Sequence, residues 1–255
     1  MVETPEKLAI VLAAGKGTRM NSHLPKVLME VDGRPMLEYV LDALREGGVG
    51  RIVLVVGHRQ ELVRAALAGR ADVEVVVQRR QLGTGHAVMT CREVIAAHRG
   101  PVVVVTGDAP LMQGRSIAAL LAEYRREPAG CILGTVIKDN PRGLGRILRG
   151  GGGEFLGIVE EKDATPAQRR IREVNMSYYV FHPRRLISAL EHLDIHNAQG
   201  EYYLTDCPGV MIGRGVTVRA LSVLAPCEAL GVNTPEELAA VEAVLHGDPR
   251  EGMVA

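Results

Sequence analysis

The chain contains no tryptophan and only two phenylalanines among its 255 residues. With six tyrosines besides, such a chain has few rings, which argues against a base-stacking platform for single-stranded nucleic acid and for an aliphatic core. Net charge is missing as well, since 30 Lys and Arg balance 30 Asp and Glu. A neutral chain sets up no general field for DNA, RNA or an acidic membrane, and its arginine pairs at 79–80, 125–126, 169–170 and 184–185 are scattered. Any anion site is therefore local. The longest apolar run, Leu8 to Ala14, is far too short to span a bilayer, and the first residues lack the basic start and apolar run of a signal peptide. Four cysteines (Cys91, Cys131, Cys207, Cys227) form no CxxC pair, which argues against a zinc ribbon or disulfide scaffold and for a reduced, cytoplasmic setting. Neither a membrane nor a nucleic-acid partner is expected.

What is present is globular, at 47% hydrophobic and 24% charged residues. Short aliphatic runs at Leu8–Leu12, Arg51–Val56, Val73–Val77, Pro101–Thr106 and Cys131–Lys138 read as strands buried on both faces. Between them, Pro35–Arg45, Arg59–Leu67, Thr84–Ala97 and Arg115–Arg125 carry apolar residues at helical spacing. This alternation predicts an α/β fold: a Rossmann-like, mostly parallel sheet with helices on both faces. Ligands in such sheets sit beyond the carboxyl ends of the strands, so the loops after residues 12, 77 and 106 matter most. In the second half, Gly143–Gly153 predicts a turn and hairpin, Ile171–Phe181 a further strand and Glu236–Leu245 a closing helix. With no repeat or clear linker, residues 1–250 read as one domain, with a smaller lobe at about 140–225 and a closing segment at 226–250.

The loop after the first strand runs Leu12-Ala-Ala-Gly-Lys-Gly-Thr-Arg-Met20, and Leu24-Pro-Lys26 follows. Small residues let backbone N–H groups approach a phosphate, and Lys16, Arg19 and Lys26 add positive charge. Met20 stands where a dinucleotide fingerprint needs its third glycine, and no Gly-Lys-Ser/Thr follows a four-residue gap, so neither standard phosphate motif is present. The stretch resembles the signature loop of the sugar-phosphate nucleotidyltransferases, LxxGxGTRM followed by PK. That resemblance implies that Leu12, Ala13, Ala14 and Gly15 wrap a triphosphate. It assigns Arg19 to the departing phosphates and Lys26 to the transferring phosphoryl group.

Gln78 ends the third strand, and Gln81-Leu-Gly-Thr-Gly-His-Ala87 opens the next helix. An amide offers the donor and acceptor that a pyrimidine edge needs, Gly83 permits close contact, and Thr84 suits an N-cap. Taken alone, this stretch reads equally as an ordinary capped helix start. It resembles the uracil-reading segment of N-acetylglucosamine-1-phosphate uridyltransferases, which assigns Gln78, Gln81, Gly83 and Thr84 to the nucleotide and His86 to a structural place. Asp108 in Thr106-Gly-Asp-Ala-Pro-Leu111 is placed to bind a cation or to cap a turn. The family's GDxPL motif makes it the Mg²⁺ aspartate, although Thr106 stands where the family commonly carries a bulkier residue.

Further segments follow in the same order: Gly143-Leu-Gly-Arg-Ile147, Gly157-Ile-Val-Glu-Glu-Lys-Asp-Ala164, Glu173-Val-Asn175, Asn197 to Asp206 and Gly231-Val-Asn233. By resemblance, Gly145, Glu160, Asn175, Glu201 and Tyr203 bind the sugar and Asn233 supplies a second metal oxygen. The implied halves are then nucleotide-binding (about 1–139) and sugar-side (about 140–225). The expected reaction joins UTP to N-acetyl-α-D-glucosamine 1-phosphate with Mg²⁺ and releases pyrophosphate. Its alternatives are another nucleotide or hexose phosphate, or a non-catalytic sensor. His192 and His196 lack the zinc-hydrolase pattern and are expected to be solvated. No hexapeptide repeats follow the last helix, so the acetyltransferase activity of the bacterial family is not expected, its trimer contacts are not carried over, and the oligomeric state stays open.

Overall fold

The computed structural model of the protein describes residues 6–15, 23–232 and 234–247. Its first strand, β1 (Leu8–Ala13), is followed by a small hairpin, β2 (Glu30–Val31) and β3 (Arg34–Pro35), and by α1 (Met36–Glu46). Next come β4 (Arg51–Val56), α2 (Gln60–Ala66), β5 (Val73–Val77), α3 (Thr84–Met89), α4 (Arg92–Ala97), β6 (Val102–Thr106) and α5 (Gly114–Arg126). The second half holds β7 (Cys131–Ile137), β8 (Gly145–Arg149), β9 (Phe155–Val159), β10 (Glu173–Phe181), α6 (Pro183–Leu190), α7 (Cys207–Gly213), β11 (Val218–Leu221) and α8 (Pro235–Leu245).

The principal path of the main sheet runs β11-β7-β10-β6-β1-β4-β5. β1 pairs in parallel with both β4 and β6, β4 with β5, and β11 with β7. β10 alone along this path runs antiparallel to its neighbours β6 and β7. It also carries the β8–β9 hairpin through Val174 and Asn175. Side chains alternate across the sheet with period two. Ala9, Val11 and Ala13 of β1 therefore join one apolar layer under α1 and α5, whereas Leu8 and Ile10 join the other under α3, α4 and α6.

Three expectations need correction. β5 is an edge strand with no fully buried residue, because nothing pairs with its outer side. The helix expected over Thr84–Ala97 is two helices. Around Thr90 the backbone tightens: Thr90 N–H bonds the carbonyls of both His86 and Ala87, its hydroxyl donates to Ala87 O at 2.6 Å, and Cys91 N–H bonds Val88 O. The i−3 bonds to Ala87 and Val88 break the α-helical ladder. Finally, the cap of α3 is Gly83 rather than Thr84. Among the described residues, no helix is long and apolar enough to cross a membrane.

One buried carboxylate ties the closing segment to the start of α5. Glu228 is 1% exposed and accepts from Gln113 N–H at 3.0 Å, Ser116 Oγ at 2.6 Å and Ala225 N–H at 2.8 Å. Two of those donors belong to the first turn of α5 and its cap, where negative charge also meets the positive end of the helix. Glu228→Ala strands these donors in the interior, at about 1–3 kcal/mol for each one left unpaired. We expect it to lower Tm by roughly 5–15 °C in thermal unfolding, with Glu228→Gln in between.

Candidate active site

The chain leaves β1 toward β4 on one side and reaches β6 on the other, so the carboxyl ends of β1 and β6 diverge. Crevices of this kind are where open α/β sheets bind ligands. A cavity of about 500 Å³ opens there. Leu12, Ala13, Ala14 and Gly15 line it from the end of β1, with Thr106 and Asp108 from the end of β6. Gln78, Gln81, Gly83 and Thr84 line it from the β5–α3 connection. A larger recess of about 860 Å³ shares Lys26, Thr106 and Asp108 and extends past Asn175 to Lys138 and Arg142.

Lys26 and Asp108 stand where the two spaces meet. Pro25 leads into a single 3-10 turn, Lys26–Leu28, whose Val27 and Leu28 are buried and so fix the lysine's direction. Its ammonium meets Asp108 Oδ2 at 2.5 Å, with both side chains partly exposed at 18% and 28%. Gly107 N–H bonds Leu12 O at 2.9 Å and joins the two strand ends directly behind the pair. An ammonium and a carboxylate at one point can serve opposite partners, the first a phosphoryl oxygen and the second a divalent cation.

The loop before α3 is held from inside. Gln78 is 3% exposed. Its Nε2 donates to Gly83 O at 3.0 Å and lies 2.9 Å from His86 Nδ1, while Gln81 Nε2 donates to Gln78 O. Burial, aided by the nearby Arg80 charge, depresses the His86 pKa. A neutral ring leaves Nδ1 free to accept, so His86 is a structural partner here. The donor of Gln78 is thus engaged within the loop, and its Oε1 makes no hydrogen bond among the described residues. Gly83 has φ +104°, and a Cβ there would lie 2.5 Å from Tyr202 O. This close approach lets the loop pair with residues 202–204: Tyr202 N–H to Leu82 O, Gly85 N–H to Tyr202 O, and Leu204 N–H to Thr84 Oγ1. The Thr84 hydroxyl therefore binds that neighbouring segment instead of capping its own helix.

On the other side, β8–β10 pairing sets Gly145 opposite Asn175, and a Cβ on Gly145 would lie 3.6 Å from Glu160 Oε1. These three are brought together. Asn175 lines the larger recess, but its amide is engaged, donating to Tyr179 Oη at 2.8 Å and accepting from Ser177 N–H. It shapes a β-bulge at which Ser177 takes φ +60°. Glu160 accepts from the Thr205 hydroxyl at 3.0 Å, and burial raises its pKa despite that bond. Gly145 and Glu160 line neither cavity. Glu201 lines the smaller cavity, and Tyr203 is buried with its hydroxyl accepting from Gln199. Arg19, Asn233 and Lys16 lie outside the described residues. His192 and His196 are exposed; His192 contacts Ser188 O and Arg214. Lys138, Asn140 and Arg142 were missed by the sequence reading, and two basic residues flanking the turn before Gly143 were the available signal.

Residues 9–206 match the profile of the MobA-like NTP transferase domain. The chain belongs to that family. It is a nucleotidyltransferase. A protein of Pelotomaculum thermopropionicum named bifunctional protein GlmU is 43% identical over 237 residues, 93% of this chain and 51% of its own length. A Heliobacterium modesticaldum protein of the same name is 45% identical over 94% of this chain and 52% of its own. The nucleotidyltransferase chain thus spans about half the length of these relatives. A UDP-glucose pyrophosphorylase solved with UDP-glucose shares the fold at a TM-score of 0.75 and 16% identity, with 96% of this chain and 99% of that one covered. A Bacillus anthracis protein assigned as a glucose-1-phosphate thymidylyltransferase, solved with a sucrose, does so at 0.76 and 20%, with 93% and 94% covered. The fold is that of the nucleotide-diphospho-sugar transferases.

Two outcomes follow from the packing of this site. Gly83→Ala must carry a side chain at a left-handed angle and against Tyr202 O. It should cost about 1–3 kcal/mol and weaken nucleotide binding together with Tm, measured by calorimetry on the same sample. Asp206, beside this segment, has its pKa raised to about 6, first by burial and then by Asp194, Glu160 and Asp163. Because the folded chain holds that proton more tightly than the unfolded one, this group favours folding below about pH 4 and its contribution is lost as pH rises to about 6. Asp206→Asn should flatten that part of the stability–pH curve and gain on the wild type above pH 6 in denaturant titrations.

Proposed function

We propose that the protein transfers the uridylyl group of UTP to N-acetyl-α-D-glucosamine 1-phosphate, giving UDP-N-acetylglucosamine and pyrophosphate. The coarser statement, nucleotidyl transfer to a sugar phosphate, has the support of the family match and of the relatives. The observation that carries the reading is the Lys26–Asp108 pair at the junction of two cavities, one sized for a nucleotide and one for a second substrate. The first is lined by backbone-rich segments and amides, as a triphosphate and a pyrimidine need. The second opens beside Asn175 and, by our reading, takes the sugar, with Gly145 and Glu160 adjoining Asn175; roles for Glu201, on the smaller cavity, and for the buried Tyr203 rest on the resemblance alone.

The attacking atom is a phosphate oxygen of the acceptor, already anionic at neutral pH because a phosphate monoester has a second pKa of about 6. No general base is required. The acceptor oxygen forms a bond to the α-phosphorus as the bond to the bridging oxygen breaks, and pyrophosphate leaves with that electron pair. The work left to the protein is alignment and the neutralisation of repelling anions. Lys26 places its ammonium on the transferring phosphoryl group, with Arg19 assigned to the departing phosphates. Among the described residues no group of three or more acidic, His or Cys side chains could form a metal cage. A single carboxylate at Asp108 instead fits Mg²⁺, which takes one or two protein oxygens together with substrate phosphates and water; Asn233 is the proposed second donor. Bound there, Mg²⁺ would supply further charge neutralisation. Four free cysteines support a reduced, cytoplasmic setting.

Pyrophosphate release from purified protein, with UTP, dTTP, CTP and ATP tested against N-acetylglucosamine 1-phosphate and glucose 1-phosphate, checks the proposal. Turnover restricted to UTP and the acetylated sugar is expected, and chelation of Mg²⁺ should abolish it. A different active pair would overturn the specificity, and silence across the panel the activity. Asp108→Asn and Lys26→Ala should each lower kcat/KM by about 10²–10³-fold with Tm within a few degrees of the wild type; unchanged kcat/KM would remove these residues from the mechanism.

A further inference from the structure

At the opposite end of the central strands, where β1 and β6 begin, lies a third cavity of about 220 Å³. Lys7 and Pro101 immediately precede those two strands, and both line it. With β1 six and β6 five residues long, the cavity is about 17–20 Å from the catalytic crevice. Among the described residues its wall carries Lys7, Arg99, Arg125 and His182, and no carboxylate. The acids nearest along α5 are engaged elsewhere: Glu123 pairs with Arg126 and Arg219, and Glu127 with Arg219 at 3.0 Å. Glu6 directs its side chain toward Gly50, and Lys7 Nζ also stands over Gly48. Among the described residues, Arg99 and Arg125 have no acidic partner. In a chain of zero net charge, three permanent cations around one unopposed cavity are a local excess.

The remaining wall is apolar. Pro101, Pro128, Leu121 and Tyr124 line it, and the hydroxyl of the half-buried Tyr124 makes no hydrogen bond among the described residues and is available to a ligand. Bare phosphate would use only the cationic side. We propose that this cavity binds a small organic phosphate monoester, its phosphate on Arg99, Arg125 and Lys7 and its carbon body against Tyr124 and the two prolines. Guanidinium groups suit the task because they present paired donors to phosphate oxygens. The site is separate from the catalytic crevice and stands whether or not the uridylyl reading holds.

Isothermal titration of the full chain with phenyl phosphate at low salt tests this, with inorganic phosphate as the charge-only comparison. One phenyl phosphate per chain should bind this cavity, at least threefold tighter than inorganic phosphate and weaker as salt rises. Binding should fall at least tenfold in R99Q/R125Q and be unchanged in K26A, which alters the catalytic crevice instead. Pyrophosphate release by R99Q/R125Q should remain at the wild-type level, since neither residue approaches Asp108. Equal binding by R99Q/R125Q and wild type, loss in K26A instead, or no binding to wild type would overturn the site. Equal affinity for inorganic and phenyl phosphate would overturn the apolar half of the proposal.

Discussion

The divergence of the chain on either side of β1 is the constraint from which the site follows. Because β4 and β5 extend the sheet one way while β6 and β10 extend it the other, the loops leaving β1 and β6 cannot pack on each other, and a crevice opens between them. The Gly107–Leu12 bond limits how far they part. Across this gap Lys26 reaches Asp108. A partly exposed ion pair contributes at most about 1 kcal/mol to stability, so its position is better understood through what it can give up. A triphosphate can recruit the ammonium and a hydrated cation can recruit the carboxylate, and separating the two sacrifices little. A buried pair would resist such an exchange far more strongly.

A second constraint joins the two sides of the crevice. Residues 82–85 and 202–204 are bonded backbone to backbone and through the Thr84 hydroxyl, and Thr205, next in the chain, donates to Glu160. The loop before α3 and the carboxylate on the other side are therefore parts of one connected piece. Gly83 and Gly85 make the joint possible, since a side chain at either would enter the space of Tyr202. Glutamine and asparagine amides act in the same way. Gln78 and Asn175 both turn donors inward, giving shape to the walls that a ligand would meet.

Five sheet strands were legible, four of them (β1, β4, β6 and β7) as runs of β-branched and aliphatic residues buried on both faces, and β4 and β5 match their expected limits; the two-residue strands β2 and β3 were not. The strand position of β10 was legible, but its place between β6 and β7 was not: alternation reveals a strand's faces and says nothing about its neighbours. α6, α7 and β11 escaped notice because they are eight, seven and four residues long, too short for a period to emerge. The break at Thr90 depends on one hydroxyl bonding backward, which composition does not encode. At the site, residue types at strand ends identified Asp108 and Lys26 as candidates, yet their contact spans 82 residues. The inward turn of Gln78 likewise depends on where Gly83 and His86 come to rest.

Charge neutrality, read at first as the absence of a field, acquires a different sense in three dimensions. The chain balances its charges by local pairing, as in Arg149 with Glu173 and Arg51 with Glu74, so cations left without a carboxylate stand out against a quiet background. They do so at the amino ends of β1 and β6, around Lys7, Arg99 and Arg125, whereas Lys26 at the carboxyl ends is paired with Asp108. The strands between are fully buried along most of their length, and a packed core of this density transmits little deformation short of rigid motion. An occupant at the far end would therefore act on the sheet's stability by mass action, while the geometry around Asp108 is set by the loops at its own end.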